Sequence, residues 1–267
     1  MTAKEIAAAV NRLAPESLSA RLIAEFSEYD NTGLLIDPEC GEIERVLVAL
    51  DADCGAVREA VEKGCGMIVS HHPVIYRGIK SLLPSDGEQK NYLTLVRAGI
   101  AVYSAHLSLD AAKEGINASL ARALDLADAR PLLDLGEGAG LLFAGDFRGS
   151  MEDLCAKLFE LTGAPMRVSQ NAGSPLRVAV LNGGGAEISY MEQARAAGCN
   201  TLVSGDAKHH AFVWAKNNGF NLVDAGHFET EHFYLKQFTR ALAETCAGVS
   251  FIMSGEPAPY FIFGGKS

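Results

Sequence analysis

Two stretches of the chain end in the same arrangement of an imidazole, three intervening residues and a carboxylate: His106 with Asp110, and His227 with Glu231. On a helical turn, residues four apart share a face, so each pair would aim nitrogen and oxygen donors at one point. That donor mixture suits zinc, iron, manganese or nickel. A third group is the adjacent pair His71-His72, followed by Pro73. Neighbours in an extended segment point to opposite sides, so these two imidazoles would more easily serve two ions than chelate one, and Pro73 helps keep His72 extended. Asp110 and Glu231 are the carboxylates whose paired oxygens could bridge two ions. Six of the seven histidines fall in or beside such segments, which makes a metal site the leading chemistry.

These residues sit on a repeated frame. Gly64-Cys65-Gly66-Met67-Ile68-Val69-Ser70 leads into His71-His72, and Gly198-Cys199-Asn200-Thr201-Leu202-Val203-Ser204 leads into Gly205-Asp206. Apolar runs predict strands at 45–51, 67–70 and 100–104, with helices at 56–63 and 91–98 between them. The pattern returns as strands at 176–182, 201–204 and 221–225 with helices at 186–197 and 208–218. Alternation of this kind predicts an α/β fold built by internal duplication, two related three-layer α/β/α halves whose parallel sheets are covered by helices. Ligands in such sheets bind at the carboxyl ends of strands, where every candidate above is found. The halves are taken as residues 1–130 and 131–267, with Arg130-Pro131 as the boundary signal. A helix at 112–127 would close the first half. A strand at 141–147 and a helix at 151–162 open the second. A long helix at 228–246 and a strand at 249–253 could pack back on either half. Residues 73–89, rich in turn formers, read as a surface loop beside the histidine pair.

Composition narrows the classes. Lys and Arg number 23 against 33 Asp and Glu, a net charge of −10, so a broad basic face for nucleic acid is not expected. No signal peptide or run of about 18 apolar residues is evident, which points to a cytoplasmic protein without membrane contact. The six cysteines, Cys40, Cys54, Cys65, Cys155, Cys199 and Cys246, include no CxxC pair and read as reduced thiols, with Cys65 and Cys199 as matched core filler.

Blander roles stand beside several of these residues. Asp110 could cap a helix, Glu231 could be a solvated first-turn acid, and His227 alone could be a hydrogen-bonded core histidine. Asp206, Lys208, His209 and His210 occupy the strand end where His71 and His72 stand in the first half. They could support the metal ligands, and Lys208 or His209 could orient substrate or shuttle a proton. Asp30-Asn31-Thr32-Gly33 is first a turn and second a site contributor. Gly183-Gly184-Gly185 precedes a helix like a phosphate cradle but lacks the GxGxxG pattern and the P-loop lysine.

The chain resembles the Nif-three-like dinuclear metal-centre family, also known as GTP cyclohydrolase I type 2 homologues. The likeness runs from Tyr29-Asp30-Asn31-Thr32-Gly33 through Ser70-His71-His72-Pro73 and His106-Leu107-Ser108-Leu109-Asp110 to Asp224-Ala225-Gly226-His227-Phe228-Glu229-Thr230-Glu231. It implies a homo-hexameric ring with two divalent metal ions per chain in a cleft between the halves. The implied ligands are His71, His72, Asp110, His227 and Glu231, with Glu231 bridging and His106 as an additional histidine nearby. Two functions are open at this point. One is a metal-dependent hydrolase using a metal-bound water on a nucleotide or phosphoester, with purine-ring opening as the specific version. The other is a non-catalytic metal-binding or regulatory ring.

Overall fold

The computed structural model describes residues 1–39 and 41–261, so Cys40 lies outside the described residues. Helices α1 (Ala3–Leu13) and α2 (Glu16–Phe26) and strand β1 (Gly33–Ile36) precede a βαβαβ unit: β2 (Arg45–Ala49), α3 (Cys54–Glu62), β3 (Met67–Ser70), α4 (Gly87–Ala98) and β4 (Ala101–Ser104). Short helices α5 (Leu107–Ala111) and α6 (Ile116–Ala123) lead into β5 (Ala127–Gly136), β6 (Ala139–Asp146), α7 (Met151–Thr162) and β7 (Arg167–Ser169). The second unit is β8 (Arg177–Val180), α8 (Ile188–Ala196), β9 (Thr201–Ser204), α9 (His209–Asn217) and β10 (Asn221–Asp224), after which α10 (His227–Thr245) and β11 (Ser250–Met253) follow.

Both units form parallel sheets in sequential strand order, as the alternation predicts. The first sheet runs β1-β4-β3-β2-β11 and the second β5-β6-β8-β9-β10-β7. In each, the short strand that precedes the unit turns antiparallel onto the unit's third strand, β1 onto β4 and β7 onto β10. That shared topology is the duplication expressed in three dimensions. Strands β3 and β9 are buried at all four positions, so their side chains need apolar cover on both faces. Val46, Val48, Met67 and Val69 face α1 and α10, whereas Leu47, Ile68 and Val102 face α3 and α4. The second sheet alternates likewise: Ala179, Leu202 and Leu222 pack with Met191 of α8 and Ala215 of α9, while Val178, Val180, Val203 and Val223 pack with Leu154 and Leu158 of α7. The result is two α/β/α halves.

Some expected elements shift. The helix expected at 112–127 is the shorter α6, with β5 starting at the end of that range; Gly115 is the N-cap of α6 and packs where any Cβ would collide with the Leu109 carbonyl. Arg130 and Pro131 lie inside β5, an edge strand where a residue without an N–H is tolerated. Helix α4 begins at Gly87, because the Asp86 side chain accepts from the Gln89 N–H and starts the helix within the segment read as loop. Strand β11 pairs in parallel with β2, and Tyr234, Leu235, Phe238 and Leu242 of α10 join the core between the first sheet and α1.

Candidate metal centre

The carboxyl ends of β2, β3, β4, β8 and β10 meet around one cluster of polar side chains. His71 and His72 follow Ser70, the last residue of β3, and His106 begins the turn into α5, which places Asp110 one helical turn on. His227 opens α10 and Glu231 lies one turn along it. Three ligand groups result, each with donor atoms within 4.8 Å of one another: His71, His72 and His106; His72, His227 and Glu231; His71, Asp110 and Glu231. All six expected metal residues are therefore brought together.

The histidines are aimed by what holds their other nitrogen. His72 Nδ1 donates to Asp51 Oδ1 at 2.8 Å, His106 Nδ1 to Asp30 Oδ1 at 2.8 Å, and His227 Nδ1 to Asp206 Oδ2 at 2.7 Å. His71 Nδ1 donates to the Ala105 carbonyl at 2.9 Å. An ionised carboxylate or a carbonyl only accepts, so each contact fixes the proton on Nδ1 in the neutral ring and leaves Nε2 for the cluster. Asp30 is fixed in turn by the Ser19 and Thr32 hydroxyls at 2.5 and 2.6 Å.

On the carboxylate side, Asn182 Nδ2 donates to Asp110 Oδ1 at 2.7 Å and to Glu231 Oε1 at 2.9 Å, which ties together two buried acids that would otherwise repel. Asn117 supports this arrangement by accepting from the Asn182 N–H at 3.0 Å and donating to the Asp110 carbonyl at 3.2 Å. Gly183 follows with φ of 60° and closes over Glu231: a Cβ there would strike Oε1. Its N–H donates to Thr230 Oγ1 at 2.9 Å.

The protonation balance follows from burial and charge. Burial opposes a charge on His72, yet Asp51 and Glu231 outweigh it and raise the ring to about 10. His227 is raised to about 9 against the same opposition, by Glu231 and Asp206. Burial would lift Glu231, but His71, His227 and His72 hold it well below the usual carboxylate range. For Asp110 burial prevails and pushes it upward. In the absence of a cation, protons thus do part of the work of neutralising this cluster.

Those protons do not satisfy it. His71 Nε2 and Glu231 Oε2 are buried with no hydrogen-bond partner. The Nε2 atoms of His72 and His227 come within 3.1 and 3.3 Å of Glu231 Oε2, close enough to pair in charge but out of line for a hydrogen bond. His71 Nε2 stands 3.6 Å from Asp110 Oδ1 and 3.5 Å from Glu231 Oε1. Buried donors and acceptors that face one another without bonding are costly unless a shared cation satisfies them. The donor set and its orphaned atoms fit a metal.

A match to Duf34/NIF3 (NGG1p interacting factor 3) covers residues 1–259. The chain belongs to the Duf34/NIF3 family. Among its relatives is a GTP cyclohydrolase 1 type 2 homolog of Methanocaldococcus jannaschii, 31% identical over 91% of this chain and 95% of that one. A NIF3 homolog of Schizosaccharomyces pombe is 28% identical over 78% and 79%. In structure, reduced HcgD from Methanocaldococcus jannaschii superimposes with a TM-score of 0.81 at 28% identity, covering 95% of this chain and 97% of that one. The Staphylococcus aureus hypothetical protein SA1388 gives 0.86 at 25% identity, with 98% and 99% covered.

In this Duf34/NIF3 protein the residues first read as supporting players divide. Asp206 contacts the cluster through His227, whereas the Lys208 ammonium is held by Glu187 at 2.7 Å, and His209 and His210 are exposed at the start of α9 and belong to no ligand group. Lys208 and His209 thus stand at the exposed N-terminal end of α9, outside the three ligand groups. Asp30 joins the cluster through His106 rather than serving only as a turn. Asp51, Asn117 and Asn182 were missed. Asp51 and Asn182 each lie two residues beyond a strand, β2 and β8, so the strand-end rule that located the histidines would have located them too. Among the described residues, no helix is long and apolar enough to cross a membrane.

Proposed function

We propose that the chain is a dinuclear metal-dependent hydrolase acting on a nucleotide or phosphoester. The observation that carries this reading is that Glu231 belongs to two ligand groups at once, with His72 and His227 on one side and with His71 and Asp110 on the other. A carboxylate shared between two donor sets is what a pair of neighbouring ions requires. Two divalent ions, of zinc, iron, manganese or nickel, would supply Lewis-acid activation of a water and of the electrophile.

The chain's own residues prepare the rest. Asp51 and Asp206 hold His72 and His227 with Nε2 inward, Asn182 keeps the Asp110 and Glu231 carboxylates side by side, and Gly183 leaves room for Glu231. His72 also lines an open cleft of about 440 Å3, so the cluster is reachable from solvent. A closed structural site would have no such approach. The curated relatives bear the name GTP cyclohydrolase 1 type 2 homolog, which makes GTP the first substrate to try. The reading includes a homo-hexameric ring, supported by the family resemblance and checked by light scattering. It also includes a cytoplasmic location, in keeping with the free thiols of Cys54, Cys65, Cys155, Cys199 and Cys246.

The test is turnover of GTP, other nucleotides and phosphoesters by protein loaded with each of the four metals in turn. Turnover that disappears in Glu231→Ala supports the hydrolase. Protein that holds its metal yet is inert across the panel removes it and leaves a non-catalytic metal-binding ring.

A further inference from the structure

We propose that Arg77 is the receptor for the phosphate of a substrate bound in the cleft beside the metal cluster; this rests on the hydrolase reading and gives its substrate a second point of recognition. The loop that follows His71 and His72 is clasped to the segment before β1. The Tyr29 hydroxyl donates to the Tyr76 carbonyl at 2.9 Å, and the Tyr76 hydroxyl returns a bond to the Tyr29 carbonyl at 3.3 Å. The Asn31 amide donates to the Ile75 carbonyl. The two rings meet edge to face at 4.9 Å, and the Tyr76 ring lies 6.1 Å from that of His106. The clasp therefore reaches the metal cluster itself.

Arg77 rests on this clasp, its guanidinium carbon 4.4 Å from the Tyr29 ring centre and 5.6 Å from that of Tyr76. A guanidinium held over a ring in this way carries five N–H donors, more than the ring can occupy, so some remain for an oxyanion. Arg122, Arg167 and Arg177 are each paired with a carboxylate, but Arg77 has no carboxylate partner among the described residues. It shares with His72 the wall of the 440 Å3 cleft.

The other charges on that wall are decisive. Asp51 is bound to His72, Asp53 caps α3, and Glu88 stands 3.5 Å from the Tyr92 hydroxyl. Three acids would repel a phosphate anywhere along the cleft except at its cations. Arg77 is the one lysine or arginine there. A substrate that engages the cluster would thus be held with its phosphate on the Tyr29–Tyr76–Arg77 platform.

The experiment is isothermal titration of metal-loaded wild type, Arg77→Ala and Arg77→Lys with GMP, guanosine and glycerol 3-phosphate. Arg77→Ala is expected to weaken GMP by roughly ten- to a hundredfold, the worth of a charged hydrogen bond, with guanosine binding and metal content unchanged. Arg77→Lys recovers only part, since an ammonium lacks the planar stack and fork. A loss confined to GMP assigns the phosphate to a nucleotide, and one shared with glycerol 3-phosphate assigns it to phosphate esters at large. GMP that binds Arg77→Ala as it binds wild type, or that does not bind wild type at all, overturns the proposal. Failure of the hydrolase reading looks different: GMP binding would depend on Arg77 while no nucleotide is ever turned over.

Discussion

The first half contributes four of the six clustered side chains, His71, His72, His106 and Asp110, from the ends of β3 and β4, and the second half only His227 and Glu231, from the end of β10, the counterpart of β4. The residue after β3 is His71; the residue after β9 is Gly205, where a Cβ would press on the backbone of Gly183, Gly226 and His227. Two residues beyond β2 stands Asp51, which accepts from a histidine; two residues beyond β8 stands Asn182, which donates to two carboxylates. A duplicated frame supplies equivalent positions. At these equivalent positions the first half carries a carboxylate and an imidazole, and the second an amide and a glycine.

The comparison breaks most completely at Glu231, the carboxylate that two of the ligand groups share. Glu231→Ala should lower bound metal from about two ions per chain to nearly none, measured by elemental mass spectrometry of protein purified without chelator. Retention of a full complement would mean that the halves do not share a bridge. A subtler contrast sets Gly183 against Ala52, which holds the corresponding place after β2. Gly183→Ala combines a left-handed backbone with a collision against Glu231 and should cost about 2–3 kcal/mol in urea unfolding. Ala52→Gly should cost under about 1 kcal/mol.

Removing the carboxylates behind the histidines should cost less than removing the bridge. Asp51→Asn is expected to weaken metal binding by roughly 10- to 100-fold in competition with a chromophoric chelator. Asp206→Asn should do less, because its side chain is 63% exposed against 48% for Asp51. Equal effects would mean that solvent does not distinguish the two supports. The last contrast concerns protons. His72 and His227 are raised to about 10 and about 9, so in metal-free protein their stabilisation is complete below the unfolded value near 6.5 and is lost as pH rises through 9 to 10. Glu231 stays ionised across that window. The melting temperature of chelated protein should therefore fall between pH 7 and 10, and that of metal-loaded protein should fall less.

Much of this was legible in the residues. The repeated Gly-Cys phrase, the fully buried four-residue strands and the two His-x-x-x-acid pairs locate both units and all six clustered side chains. What escaped is what periodicity does not encode. Strands β1 and β7 are short edge strands running against the parallel grain, and Gly115, the N-cap of α6, packs against Leu109, six positions earlier. Asn117 and Asn182 look like ordinary polar residues until tertiary packing places Asn182 between two acids and Asn117 behind it. Lys208 and His209 also follow a strand end, but α9 begins there and sets them outside the three ligand groups.

Strand β11 has a consequence for the order in which the molecule can be made. A nascent chain that has left the ribosome as far as β10 carries every strand of the second sheet, yet β2 still lacks its outer neighbour and presents an open edge. Duplicated halves would ordinarily mature one after the other during synthesis. Here the half made first is the half finished last, and its exposed edge must be kept from pairing with other chains until the final strand arrives.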